Sequence, residues 1–185
     1  MMVPPMRPTL LDDRLLLRPM AADDRVALFA VASDKEIGAI HPAHDRWQET
    51  VFARFFDEGL ASNGALTAID RATGAVIGSS RYDIRVCEAG EVEIGWTYLA
   101  RDYWGGAWNR SMKRLMLAEA FRAGFHTVIF LVGETNLRSR RAMEKIGGRL
   151  TDRRQRWEMA GTQIDHLIYA ISSDDFASGP LKYSA

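Results

Sequence analysis

The sequence predicts an α+β chain, a mostly antiparallel sheet holding one parallel strand–helix–strand unit. Three observations predict it. Residues 65–86, "ALTAIDRATGAVIGSSRYDIRV", read as strand, Thr-Gly turn, strand. Residues 91–99, "EVEIGWTYL", alternate strictly, with Val92, Ile94, Trp96 and Tyr98 on one face and Glu91, Glu93, Gly95 and Thr97 on the other. An amphipathic helix over about 107–123 then leads into "FHTVIFLV" (125–132), apolar enough to be covered on both faces, as in parallel pairing.

The remaining elements follow in order. "TLLDDRLLLRPM" (9–20) reads as two short extended pieces around an Asp-Asp turn, hence an opening strand. "AADDRVALFAVAS" (21–33) places Val26, Phe29, Ala30 and Ser33 on one helical face, with acidic residues in the first turn. "IHPAHDR" (40–46) is a loop, and residues 47–61 form a helix with Val51, Phe52, Phe55, Phe56 and Leu60 on its apolar side. Trp108, Met112, Leu115, Met116 and Ala120 make the buried stripe of the 107–123 helix, which Gly124 ends. A helix over 137–146 stops at Gly147-Gly148. Residues 148–171 form a long hairpin turning at Ala160-Gly161-Thr162, and the chain from Ser172 on reads as a loose tail. Repeats, low-complexity stretches and dividing linkers are absent, so residues 1–185 read as a single domain with its core over about 9–171.

Bulk properties narrow the function. With 24 basic and 24 acidic residues, no global field favours nucleic acid or an anionic membrane. Asp12, Asp13 and Arg14 interrupt any apolar run near the N-terminus, which argues against a signal peptide or anchor and for a cytoplasmic protein. Cys87 is the single cysteine, which suits a reducing compartment, and reads as an apolar filler.

Gly105-Gly106 falls between the 91–99 strand and its crossover helix. A right-handed crossover puts that pair at the carboxyl end of the strand and the amino end of the helix. Unpartnered N–H groups and the positive end of the macrodipole meet there, and glycine admits an anion close to the backbone. Taken alone, such a pair before a helix is more often only a turn. It is neither a Walker loop, since no Gly-Lys-Ser/Thr follows, nor a Gly-x-Gly-x-x-Gly dinucleotide fingerprint.

"EIGWTYLARDYWGGAWNRSMKRLMLAEAF" (93–121) followed by "NLRSRRAMEKIGG" (136–148) resembles the GNAT superfamily of acyl-CoA-dependent N-acyltransferases, and within it the branch containing the ribosomal-protein N-terminal acetyltransferases. The resemblance covers roughly residues 9–171. It implies a twisted, mostly antiparallel sheet of about seven strands with four helices and splayed central strands. It implies acetyl-CoA as co-substrate, no metal, and a primary amine as acceptor, in a monomer or homodimer. The family's pyrophosphate loop carries Gln/Arg-x-x-Gly-x-Gly/Ala; the matching positions are Trp104, Ala107 and Asn109, all three departing from it. The donors are backbone N–H groups, so the resemblance still implies a cradle over Trp104, Gly105, Gly106, Ala107, Trp108 and Asn109.

By the same resemblance, the backbone of Tyr98 and Leu99 pairs with the pantetheine arm and Asn136 reaches it from the next helix, where it also suits an N-cap. Arg138, Arg140, Arg141 and Lys145 form a basic helical surface that is either plain solvated surface or a contact for the ribose phosphate, together with Arg110 or Arg114. Of these, Arg110 and Arg141 are counted among the cofactor-binding candidates.

Acyl transfer from a thioester needs a neutral amine, a donor for the oxyanion, and a proton or positive field for the thiolate. An α-amine with pKa near 8 is about 10% neutral at pH 7, whereas a lysine amine is below about 0.1%. Glu93 is the candidate base, acting through water beside the expected thioester; the alternative is an ordinary outward carboxylate. Removing it is expected to depress turnover chiefly at low pH. Met143 stands where many relatives carry an acidic tyrosine, so Ser139 is the candidate that hydrogen-bonds the departing sulfur.

His41 and His44 lie on the loop expected to line the acceptor pocket, and two histidines alone do not make a zinc site. His166 either faces that pocket with Asp165 or is a satisfied strand residue, and His126 reads as structural. Trp47, Phe56 and Trp157 line the pocket or pack the core. A non-catalytic acyl-CoA sensor is the rival function, kept open by the altered loop and the missing tyrosine.

Overall fold

The computed structural model describes residues 6–182. The readings made on residues 1–5 and on the last three residues of the tail lie outside the described residues. Eight strands form one sheet in the order β1-β2-β3-β4-β5-β6-β8-β7. Strands β1 (Leu10–Leu11) and β2 (Leu15–Pro19) flank the Asp-Asp turn, and β3 (Ala65–Asp70) and β4 (Val76–Asp83) make the first hairpin. Strand β5 (Glu91–Leu99) is joined to β6 (Thr127–Gly133) through helix α4 (Ala107–Arg122), and this is the sheet's parallel pair. Strands β7 (Arg149–Met159) and β8 (Thr162–Ser172) form the long final hairpin, and β8 returns to pair with β6.

The sheet is covered on both faces. On one side α4 and α5 (Leu137–Lys145) bury Met112, Leu115, Met116, Leu117, Met143 and Ile146 against Leu17, Leu66, Val92, Ile94, Leu99 and Val128. On the other, α1 (Arg25–Ala32) and α3 (Glu49–Ala61) pack Leu28, Ala32, Phe52 and Phe56 onto Met20, Ala65 and Tyr98.

Four expectations change. The apolar face assigned to α1 is rotated: Leu28 and Ala32 are buried while Val26 is 80% exposed, because Asp24, held by Arg18 and Thr67, fixes how the helix starts. A short helix α2 (Lys35–Gly38), capped by Asp34, precedes the 40–46 loop. The chain after Ser172 is not a loose tail. Ser172 and Asp175 form a capping box that starts α6 (Ser173–Ser178), Phe176 packs 5.5 Å from Phe121, and Leu181 is buried.

The fourth change matters most. The alternation along β5 is broken at Trp96, a non-glycine residue in the left-handed region with φ of 52°. Ser79 pairs with Tyr98 but Arg81 pairs with Gly95, so two residues of β5, Trp96 and Thr97, oppose Ser80 of β4, a bulge. Faces therefore exchange across it. Val92 and Ile94 share their face with Leu99, while Tyr98 turns to the α1–α3 side, 6.0 Å from Phe55.

Candidate functional site

The bulge coincides with a separation of the two central strands. Parallel pairing is confined to Glu91–Thr127, Val92–Val128 and Glu93–Ile129. Beyond it β5 runs to Leu99 on β4 while β6 runs to Gly133 on β8, and a wedge opens between them. Ala100 donates to Ile77, so by the alternation of an antiparallel ladder Tyr98 directs its backbone groups to Ser79 and Leu99 directs its own into the wedge. That leaves an edge able to accept an extended partner. At the mouth, the Trp104 indole donates to the Leu99 carbonyl at 2.8 Å, and Arg138 stacks on its ring at 4.5 Å.

Helix α4 starts at the same mouth. Gly105 takes φ of 68°, which a side chain would strain, and Gly106 is an extended N-cap without a side-chain cap bond. The first-turn N–H groups of Ala107, Trp108 and Asn109 thus point outward at the positive end of a 16-residue helix. Asn136 is buried and accepts from the Ser139 amide at 3.2 Å, capping α5 on the opposite wall. Among the described residues the Ser139 hydroxyl and the Arg141 guanidinium make no hydrogen bond or ion pair, whereas Arg110 donates to the Pro180 carbonyl and Arg114 is paired with Asp12.

Glu93 lies where the wedge begins and is only 5% exposed. Burial pushes its carboxyl up to about 7; Asp83 adds to that, and Arg81, Arg85 and Lys113 oppose it. Its side chain folds over Gly95, where a Cβ would meet Glu93 Oε1 at 2.8 Å. Gly95→Ala should therefore leave the melting temperature unchanged and lower kcat about tenfold by displacing the carboxylate. A kcat equal to wild type would show that the placement is not used. Neighbouring Arg81 stacks on Trp96, 3.5 Å from the ring centre, while Arg85 takes the Asp83 carboxylate with two bonds of 3.0 and 3.1 Å.

A residue that pattern reading missed lies on α4, across β5 from Glu93. Lys113 is 3% exposed, and its ammonium donates to Thr97 Oγ1 at 2.7 Å. Thr97 Oγ1 in turn meets Ser80 Oγ at 2.8 Å. Burial draws the Lys113 amine down to about 7, with Glu93 opposing. The available signal was its position one turn before Met116 and Leu117, on the buried arc of the helix.

On the α1–α3 side, His41, His44, Arg46, Trp47 and Phe55 surround Thr97 and Tyr98 in a small pocket. His41 Nδ1 accepts from the Ala43 amide, and burial lowers its pKa to about 3, so its ring is neutral. His166 is buried on β8 with its pKa lowered by burial. Asp165 pairs with Arg156 instead of turning into the pocket. Burial pushes the Cys87 thiol up to about 12, which removes it as a nucleophile at neutral pH. Phe56 and Met143 are core residues. Among the described residues no three His, Cys, Asp or Glu side chains converge as metal ligands, and no helix is long and apolar enough to cross a membrane.

The family model described as "Acetyltransferase (GNAT) domain" matches residues 14–149. Among curated proteins none matches the chain. Solved structures share the fold at low identity. A GCN5-related N-acetyltransferase from Brucella melitensis aligns with a TM-score of 0.81 and 22% identity, covering 96% of this chain and 83% of that one. The acetyltransferase (GNAT family) from Bacillus anthracis gives 0.74 and 20%, covering 90% and 99%. Mycobacterium smegmatis RimJ in complex with CoA-disulfide gives 0.73 and 18%, covering 97% and 94%.

Proposed function

The chain belongs to the GNAT acetyltransferase family, and on that premise we propose that it is an acetyl-CoA-dependent N-acetyltransferase acting on a primary amine, of a small molecule or of a peptide or protein N-terminus. The observation that carries this reading is the wedge between β5 and β6, with a carboxyl held near neutral pKa at its inner end and an uncapped helix N-terminus at its mouth. The CoA-disulfide bound by the Mycobacterium smegmatis structure supports acetyl-CoA as the ligand.

In this reading the backbone N–H groups of Gly105, Gly106, Ala107, Trp108 and Asn109 cradle the pyrophosphate, beside Trp104. The pantetheine arm follows the edge of β5 at Leu99, passes Tyr98, and meets Asn136 on the far wall. Arg110 and Arg141 flank the mouth as partners for the ribose phosphate. Ionised Glu93 draws a proton from the amine through a water, and the amine attacks the thioester carbonyl directly. Ser139 donates a hydrogen bond to the departing sulfur. A thiol with pKa near 8.5 leaves without full protonation in the transition state. An amine of pKa near 8 matches a base of pKa about 7, which favours α-amines and weakly basic amines over lysine side chains.

Ala107 is the first residue of α4, a position where proline fits a helix, and extended Gly106 tolerates a following proline. Ala107→Pro should keep the fold and weaken acetyl-CoA binding about tenfold by deleting one donor. An unchanged calorimetric Kd would move the pyrophosphate elsewhere. The function itself is tested by thiol release from acetyl-CoA over a panel of amines and short peptides. CoA release with at least one acceptor is expected; tight acetyl-CoA binding with no release across the panel would make the chain a sensor instead.

A further inference from the structure

Lys113 is the one lysine of α4 that the fold buries, and general chemistry gives no structural reason for it to be there. An amine in an apolar interior costs stability unless its charge is matched, and a methionine of similar length would fill the same space. Its surroundings are sparse. The ammonium has one hydrogen bond among the described residues, to Thr97, and stands 5.4 Å from the Phe130 ring on the opposite wall of the wedge. Thr97 belongs to β5 beyond the last parallel pair and Phe130 to β6 just past it, so the amine bridges the gap where the strands part. The bond to Thr97 uses one of the ammonium's three N–H donors. Glu93 approaches the same point from the other face of β5, on the side of α1 and α3.

We propose that Lys113 is a further catalytic residue: its amino group, held by Thr97 at the inner end of the wedge, donates to the acetyl thioester and balances the negative charge that builds there as the amine attacks. This rests on the acetyltransferase reading above. The division of labour follows from the two faces of β5. Glu93 serves the acceptor amine from one side, and Lys113 serves the acyl group from the other. As the N–C bond forms, the carbonyl π electrons move to oxygen; as the C–S bond breaks, they return and the sulfur leaves as thiolate. The amine proton passes through water to Glu93. In its protonated form Lys113 offsets the charge of both anionic stages and keeps its proton. Such a group also supplies the positive field that Met143 cannot. Thr97 is a positioning residue in this scheme, its hydroxyl oriented by Ser80.

The test compares wild type with Lys113→Met and Lys113→Gln. Lys113→Met should unfold at a temperature no lower than wild type, bind acetyl-CoA within about threefold by calorimetry, and lose about 100-fold or more in kcat with little change in the KM for the amine. Lys113→Gln, which keeps an N–H donor without the charge, should fall between the two, and it is read in the same way if the methionine variant does not fold. A kcat within threefold of wild type in either variant, or a loss confined to acetyl-CoA affinity, would overturn the role. So would acetylation of Lys113 itself when the wild type is incubated with acetyl-CoA alone, seen as an acetyl mass gain on its peptide, since the group would then be an acceptor. A wild type inactive on every amine overturns the functional reading and the role together, whereas an active wild type beside an equally active Lys113→Met overturns the role alone.

Discussion

Replacing Glu93 with Gln is expected to lower kcat about 100-fold or more near pH 7.5, because a positioned general base is worth about 10²–10⁴ in rate. The pH dependence carries more information than the magnitude. A base acts when ionised, and the Glu93 carboxyl, raised by burial to about 7, ionises as pH climbs through neutrality. Below pH 7 the wild type has already lost its base, so wild type and variant converge. Above about pH 8 the amine is increasingly neutral unaided, and the need for a base fades. The deficit is therefore greatest between these limits. The expectation drawn from the sequence placed the deficit chiefly at low pH; the raised carboxyl moves the predicted deficit to this window. A variant within threefold of wild type at pH 7.5, or a deficit growing toward pH 5, would remove Glu93 from the mechanism.

Gly78→Ala is expected to destabilise the protein by about 3 kcal/mol, in the range for an overcrowded backbone site. Gly78 lies on β4 opposite Leu99, where β5 leaves the bulge. A Cβ there would sit 2.0 Å from the Tyr98 carbonyl oxygen and 3.0 Å from Leu99 Cα, both backbone atoms that cannot turn aside. Relief requires β4 and β5 to part at the point where Leu99 faces the wedge. For a chain of this size the melting temperature should fall by about 6–12 °C. Acetyl-CoA affinity should fall with it. Gly74 is the control: nothing lies within 4 Å of its added Cβ, so Gly74→Ala bears only the cost of a left-handed φ of 74°. A Gly78→Ala protein melting within about 2 °C of wild type would contradict the packing at this crossing.

Much of the fold was legible because its cues are local. The Thr-Gly turn, the alternation of β5 before its bulge, the α4 stripe and Gly124 each act within a few residues, and each element formed where those cues put it. What was hidden depends on partners distant in sequence. The bulge at Trp96 is visible only once β4 supplies its register, so Tyr98 was assigned to the wrong face of its strand. The rotation of α1 depends on Asp24 reaching Arg18 and Thr67. At the site, a carboxylate on a strand beside a Gly-Gly loop could be read from residue order. Its raised pKa could not, because burial and the charges of Asp83, Arg81, Arg85 and Lys113 come together only in the folded chain. Lys113 escaped for a related reason, since an amphipathic pattern treats a lysine as outward-facing by default.

Wedge, loop and carboxyl form one line along β5, with Leu99 and the α4 N-terminus at its mouth and Glu93 at its inner end. We assign that line to a single ligand. A crystal structure of the protein with acetyl-CoA tests it most directly. The expected result is density for the pyrophosphate at the amides of Gly105 to Asn109 and for the arm between β5 and β6, ending in a thioester within hydrogen-bond reach of Lys113 and one water from Glu93. Density for the ligand in the cavity of about 560 Å³ lined by Glu58, Asn63 and Arg85, with the wedge closed, would contradict it.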